Sequence, residues 1–204
     1  MARSRTGKVD HLPGFVEAER DALLADIEAA FAGVGREGGI SWSEAEVLDM
    51  YGTAEDQAKA RAQDREPGWR SLVDDSKWRT GCGVGGWSFL DAVGFRYYLP
   101  AAMIRCIRTG NDEGIEYHLR LDDDKFRDFR ADKWSLLTLD QRRCVRRFLE
   151  YMGVVTAYVY GGFDASGWQQ SLELYWDQIP MEEVAIPKKE KGKGHRPKKE
   201  RHGP

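Results

Sequence analysis

Between Asp91 and Arg108 the chain places Phe95, Tyr98, Leu99, Ala102, Met103 and Cys106 at helical spacing, with few polar interruptions. A helix that is apolar on most sides must be surrounded by other elements, because each face left in water would carry unburied apolar surface. This run therefore predicts the centre of the core, with shorter amphipathic pieces wrapped around it. Pro100 falls inside it. A proline there lacks a donor and crowds the preceding turn, which predicts a kink or a restart just before it.

The flanking pieces are legible by the same periodicity. Phe15, Leu23, Leu24, Ile27 and Phe31 predict a helix that stops in the glycines between Gly33 and Gly39. Ser43-Glu44-Ala45-Glu46 reads as a capping box, in which the hydroxyl accepts a free first-turn N–H and the carboxylate reaches back; a short helix to Met50 follows. Thr53 to Gln63 is Ala-rich and polar and predicts an exposed helix, a candidate mobile segment. After Pro67-Gly68 the aromatic density rises through Trp69, Trp78 and Trp87. Thr138-Leu139-Asp140-Gln141 is a second capping box, opening a helix whose inner stripe is Val145, Phe148, Leu149 and Met152. Gly161-Gly162 breaks the chain, and Trp168, Leu172, Tyr175, Trp176 and Ile179 mark a last amphipathic helix ended by Pro180. Two stretches read as strands. Ile115, Tyr117, Leu119 and Leu121 alternate, with His118 on the polar side, and Val154 to Tyr160 is rich in β-branched and aromatic residues. The fold class is mainly α, α+β at most: a helical domain with no more than a small two-stranded sheet and disordered termini.

A length of 204 residues suits one domain with a substantial core. The expected boundaries are a flexible arm over 1–13, a globular helical domain over 14–187 and a disordered basic tail over 188–204. Of the 31 basic and 34 acidic side chains, eight and two lie in the tail. The tail therefore carries +6, and residues 1–187, with 23 against 32, carry −9. Cys82, Cys106 and Cys144 are odd in number and far apart, and no apolar run follows the basic Met1–Lys8 stretch. Both features predict reduced thiols in a cytoplasm. No stretch reaches the ~18 to 20 apolar residues of a membrane span, so no membrane partner is expected.

The run Phe89-Leu90-Asp91, continued by Phe95-Arg96-Tyr97-Tyr98-Leu99-Pro100-Ala101, resembles a family of uncharacterised bacterial proteins with an F-L-x-x-x-x-F-R-Y-Y-L-P-A signature. Leu136 to Gln141, then Phe148-Leu149-Glu150-Tyr151 and Leu174-Tyr175-Trp176, are similar to the same pattern in the same order. The match runs from about Trp69 to Asp177. The resemblance implies a bacterial cytoplasmic origin and a helical fold, and it supplies no catalytic residues.

Several features could carry chemistry. Gly81-Cys82-Gly83-Val84-Gly85-Gly86 fits G-x-G-x-x-G on paper, but polar residues precede it and no βαβ unit can be drawn around it. Cys82 with His118 would make a nucleophile pair only if the fold brought them together beside an acid. Asp122-Asp123-Asp124 lacks the ligand alternation of a calcium loop and reads as a turn capping the next helix. Arg96 shares a helical stripe with Pro100, Met103 and Ile107 and is expected to be buried and paired with Asp74, Asp75 or Asp91. Arg142, Arg143, Arg146 and Arg147 form two columns on what reads as an outer helix face, where they could meet phosphates or an acidic protein. Arg96 and these four are the candidate binding residues. No catalytic, cofactor-binding or metal residue is assigned, and no cofactor is expected. The tail, with no apolar residue to bury, is expected to add nothing to the fold and to touch nucleic acid weakly.

The leading reading is a non-enzymatic protein-interaction domain, of accessory or immunity type, with another protein as partner. The alternatives are a small enzyme with a cryptic site near Cys82 and a nucleic-acid accessory protein acting through its tail.

Overall fold

The computed structural model describes residues 14–80, 86–122, 124–160 and 166–181. Seven α-helices form among them: α1 Gly14–Ala30, α2 Trp42–Asp49, α3 Ala54–Arg61, α4 Ala92–Thr109, α5 Arg127–Lys133, α6 Leu139–Tyr160 and α7 Ser166–Leu174. Short 3₁₀ turns occupy Trp69–Leu72, Gly86–Ser88, Tyr117–Leu119 and Trp176–Gln178.

Helix α4 is the centre the sequence predicts. Twelve of its 18 residues are buried, and α1, α5, α6 and the Trp69–Leu72 turn all pack on it. Asp91 caps it by accepting from the Gly94 N–H, and Gly110 at φ 74° ends it. The restart expected at Pro100 does not occur: the helix runs continuously through it. The missing donor removes one rung of the ladder, while Leu99, Ala101, Ala102 and Met103 are fully buried and hold the backbone in place.

Helix α6 carries the predicted stripe, with Val145, Phe148, Leu149 and Met152 all inaccessible to water. Its capping box forms as expected: the Thr138 N–H donates to Gln141 Oε1 at 3.1 Å and the Gln141 N–H to Thr138 Oγ1 at 3.3 Å. The strand expected over 154–160 is instead the end of this helix. Tyr151, Met152, Val155 and Thr156 are buried at helical spacing, while Val154 and Tyr158 face out together. A helix already nucleated upstream gains one bond per added residue, which outweighs β-propensity. The Ile115–Leu121 stretch then has no partner strand among the described residues. It folds as a turn and a 3₁₀ segment, burying Ile115, Leu119 and Leu121 but leaving Tyr117 half-exposed.

The other helices differ in detail. The segment Ser41 to Glu46 holds two overlapping capping frames, and the earlier one is used: the Ser41 N–H donates to Glu44 Oε2 and Ser41 Oγ accepts from the Glu44 N–H. This frame buries Trp42 and Ala45, and Ser43 is left to bind the Asp64 carboxylate through both its N–H and its hydroxyl. Helix α3 is exposed as expected, with Ala60 its only buried residue. The final amphipathic segment is split: α7 stops at Leu174, and Trp176 sits fully buried in a separate 3₁₀ turn.

The α2–α3 connection has an unusual residue at its tip. The Gly52 N–H bonds to the Val47 carbonyl and the Tyr51 N–H to that of Leu48, the bond pattern that ends a helix with a left-handed residue. That residue is Tyr51, at φ 58°, and its side chain is 96% exposed. A tyrosine there is strained against its own carbonyl and gains nothing from packing. Tyr51→Gly is therefore expected to raise stability by about 0.5 to 1 kcal/mol in denaturant titration, the relieved strain being partly offset by a freer unfolded chain.

Candidate functional site

Among the described residues, four half-exposed aromatic side chains gather where three chain segments meet. Phe89 is 38% exposed, Tyr117 47%, Phe126 48% and Phe129 51%, and all four border one groove of about 550 Å³. Its lining is almost wholly apolar, with Ile40 and Leu90 completing the walls. Phe89 and Leu90 come from the turn into α4, Tyr117 and His118 from the 3₁₀ segment, and Phe126 and Phe129 from the start of α5.

The groove is rigidly framed. Lys133 of α5 donates to the carbonyls of Trp87 and Ser88, fixing the approach to α4. Arg130 donates to Asp124 at 2.7 Å and to the Tyr117 hydroxyl at 3.4 Å, joining α5 to the 3₁₀ segment. The Trp134 indole donates to the His118 carbonyl at 3.2 Å. On the other wall, Ile40 crosses the start of α4 so closely that a Cβ on Gly94 would lie 2.4 Å from the Ile40 carbonyl oxygen. Only glycine lets this edge of the groove form. Asp91 holds the crossing by accepting from the Ile40 N–H at 3.1 Å.

Two buried cations of α5, Arg130 and Lys133, frame the groove, and Arg130 is paired with Asp124. Lys133 is buried with no described carboxylate in ion-pair range, and burial pushes its pKa down to about 8. Arg130 is 3% exposed, and its Nε has no hydrogen-bond partner. His118, expected on a solvent face, is half-buried in the groove wall. Burial, and then Lys133 and Arg130, push its pKa down to about 3, so it is a neutral imidazole near pH 7.

A second cleft, of about 670 Å³, opens between α2, α4 and the Trp69–Leu72 turn. Its floor is the aromatic contact of Trp42, Trp78 and Tyr98. The Tyr98 hydroxyl accepts from Arg36 at 3.0 Å and from the Trp42 N–H at 2.9 Å, and donates to Glu66 at 3.3 Å. Burial raises the pKa of Glu46, with Asp64 adding to the rise. The Trp42 indole N–H has no hydrogen-bond partner among the described residues, and its approach to the Glu46 carboxylate offsets part of that rise. Arg36, Glu66, Asp64 and Ser43 are already bonded to one another, so this cleft is held by internal polar bonds.

The predicted binding residues do not converge. Arg96 is half-buried, no described carboxylate pairs with it, and its Nε lacks a hydrogen-bond partner, so the expected ion pair with Asp74, Asp75 or Asp91 is absent. Asp91 is occupied as a helix cap, and Asp74 pairs with Arg108. The four α6 arginines are not on an open outer face. Arg142 donates to the Trp134 and Leu137 carbonyls and to the Tyr175 hydroxyl, and Arg143 to Asp140 and the Pro180 carbonyl. Arg146 binds Glu150 and the Asp177 and Ile179 carbonyls, while Arg147 binds Glu19 and Asp26 of α1. Their work is to fasten residues 175–180 and α1 to α6.

Asp124 shapes the turn before α5, accepting from the Phe126 N–H at 2.8 Å, but the expected side-chain cap does not form: Phe126 holds the N-cap position with no side-chain hydrogen bond. Among the described residues no three His, Cys, Asp or Glu side chains gather as a metal ion would need. Cys82, Gly81 to Gly85, Asp123 and the basic tail lie outside the described residues. Cys106 and Cys144 are free and buried, and burial pushes both thiols up, that of Cys144 to about 11. Neither is a ready nucleophile. No described helix is long and apolar enough to cross a membrane. The groove itself was missed by periodicity. Its one sequence signal is a pair of aromatics, Phe126 and Phe129, set in a segment otherwise filled with charge.

The model of a family described as "Family of unknown function (DUF6714)" matches residues 19–180. No curated protein and no solved structure matches the chain.

Proposed function

We propose, from the premise that the chain belongs to the DUF6714 family, that it is a non-enzymatic protein-interaction domain docking an apolar segment of a protein in the Phe89–Tyr117–Phe126–Phe129 groove. The observation that carries this reading is the gathering of four half-exposed aromatics around one apolar concavity. Single exposed apolar residues are ordinary, whereas a contiguous patch marks a contact surface. Covering what remains open of each ring is worth roughly 2 kcal/mol before the entropy of association is subtracted. The polar groups of the groove are fixed by the fold, and none is paired with a second group as acid and base would be. The cytoplasm is the compartment that suits the two free buried thiols.

The test is selection of binding peptides from a displayed library, followed by fluorescence anisotropy on the full chain. Replacing Phe126 and Phe129 together by Ser also removes the buried half of each ring and the cover of Lys133, so the melting temperature should fall and binding is read well below it. Affinity for the selected peptides should fall at least about tenfold, as expected for loss of two aromatic anchors. Equal affinity for the double variant would place docking elsewhere.

A further inference from the structure

We infer that the groove is filled by the α2–α3 turn of a second copy of this chain, the side chains of Met50 and Tyr51 entering it as a pair. The inference rests on the groove being a docking surface and names its occupant.

The turn presents what an apolar groove needs. Met50 is 64% exposed and Tyr51 96%, side by side at the tip of a connection. Both groups are held out by a well-bonded turn, and the left-handed backbone of Tyr51 makes their projection costly to the isolated chain. Strain of this kind, with no packing return inside the molecule, is a recurrent property of residues that act on a partner. The neighbouring Gly52 cannot exchange roles with it, because a Cβ there would lie 2.3 Å from Val47 Cγ1.

The groove supplies the complement. It is apolar, walled by aromatic rings, and at about 550 Å³ has the size of an ordinary binding pocket. The Tyr51 phenol oxygen is an acceptor on an otherwise apolar ring. That ring and the Met50 side chain match the apolar lining of the groove.

The area is consistent with a pair. Met50 and Tyr51 together present on the order of 300 Å², and two reciprocal contacts, counted on both surfaces, bury roughly 1,200 Å², the lower end of specific interfaces. Reciprocal exchange closes the assembly at two copies, whereas a one-way contact would leave a free turn and a free groove and would propagate.

The experiment is sedimentation velocity on the full chain from about 1 μM to about 500 μM, a range that brackets a weak dimer. The native chain should pass from monomer to dimer across it. Tyr51→Gly should stay monomeric while melting at a higher temperature than the native chain at low concentration, a combination that no damage to the fold produces. The Phe126→Ser, Phe129→Ser chain should also stay monomeric. Mixing it with Tyr51→Gly should restore one contact, seen as heterodimer with one partner fluorescently labelled. A native chain that is monomeric throughout, or a Tyr51→Gly chain that dimerises as the native one does, overturns the inference. If the selected peptides still bind the groove in that case, docking stands and only the occupant is wrong; if they too fail, both fall.

Discussion

Acidification from pH 7 to pH 4 is expected to remove about 3 kcal/mol of stability through His118 alone. Its imidazole titrates near 3 in the folded chain against an ordinary 6.5, because the groove wall keeps water from the ring and Lys133 and Arg130 oppose a second positive charge. Between those values the unfolded chain binds a proton that the folded chain refuses. Linkage then makes stability fall as pH drops below 6.5 and leaves it flat for this group above 7. The full separation corresponds to about 1.4 kcal/mol for each pH unit traversed, reduced here because the ring is partly open to water. Urea titrations at a series of pH values on the native chain and on His118→Gln measure it directly. The variant should lose less than the native chain on acidification, by about 3 kcal/mol at pH 4. Parallel curves would mean that His118 is solvated in the folded state.

Arg142→Met is expected to cost about 3 kcal/mol, the loss of several charge-assisted bonds to partners that then lack donors. The guanidinium joins the Trp134 carbonyl at 2.8 Å, the Leu137 carbonyl at 3.1 Å and the Tyr175 hydroxyl. It therefore ties the α5–α6 connection and Tyr175 to the first turn of α6. Arg147→Met should cost less than about 1 kcal/mol, because its Glu19 and Asp26 partners are each nearly half-exposed. Thermal melts of the two variants separate a structural arginine from a surface pair on the same helix. Equal, small effects would return Arg142 to the role of a free binding residue.

These two groups show where sequence reading reaches and where it stops. Periodicity identifies α4 and the inner stripe of α6 because apolar spacing and burial are the same physical fact. The Thr138 capping box is equally local, needing only residues three apart. The Val154–Tyr160 stretch fails because its β-propensity is decided by what lies upstream in the helix, and with it the strand partner of Ile115–Leu121 is lost. Ser41 and Ser43 offer equivalent capping frames locally, and the burial of Trp42 selects between them. The α6 arginines read as an outer face because nothing in the spacing reveals that residues 174–180 return to cover them. The groove is least legible. Phe89, Tyr117, Phe126 and Phe129 come from three segments, and only tertiary packing sets them around one concavity.

Chemical-shift mapping on the isotope-labelled full chain, titrated with a library-selected peptide, tests the docking reading most directly. The ring and backbone signals of Phe89, Tyr117, Phe126 and Phe129 are expected to move together and saturate with one affinity. Signals of the Trp42–Trp78 cleft should stay where they are. Shifts centred on that cleft, with the four groove aromatics unmoved, would contradict it.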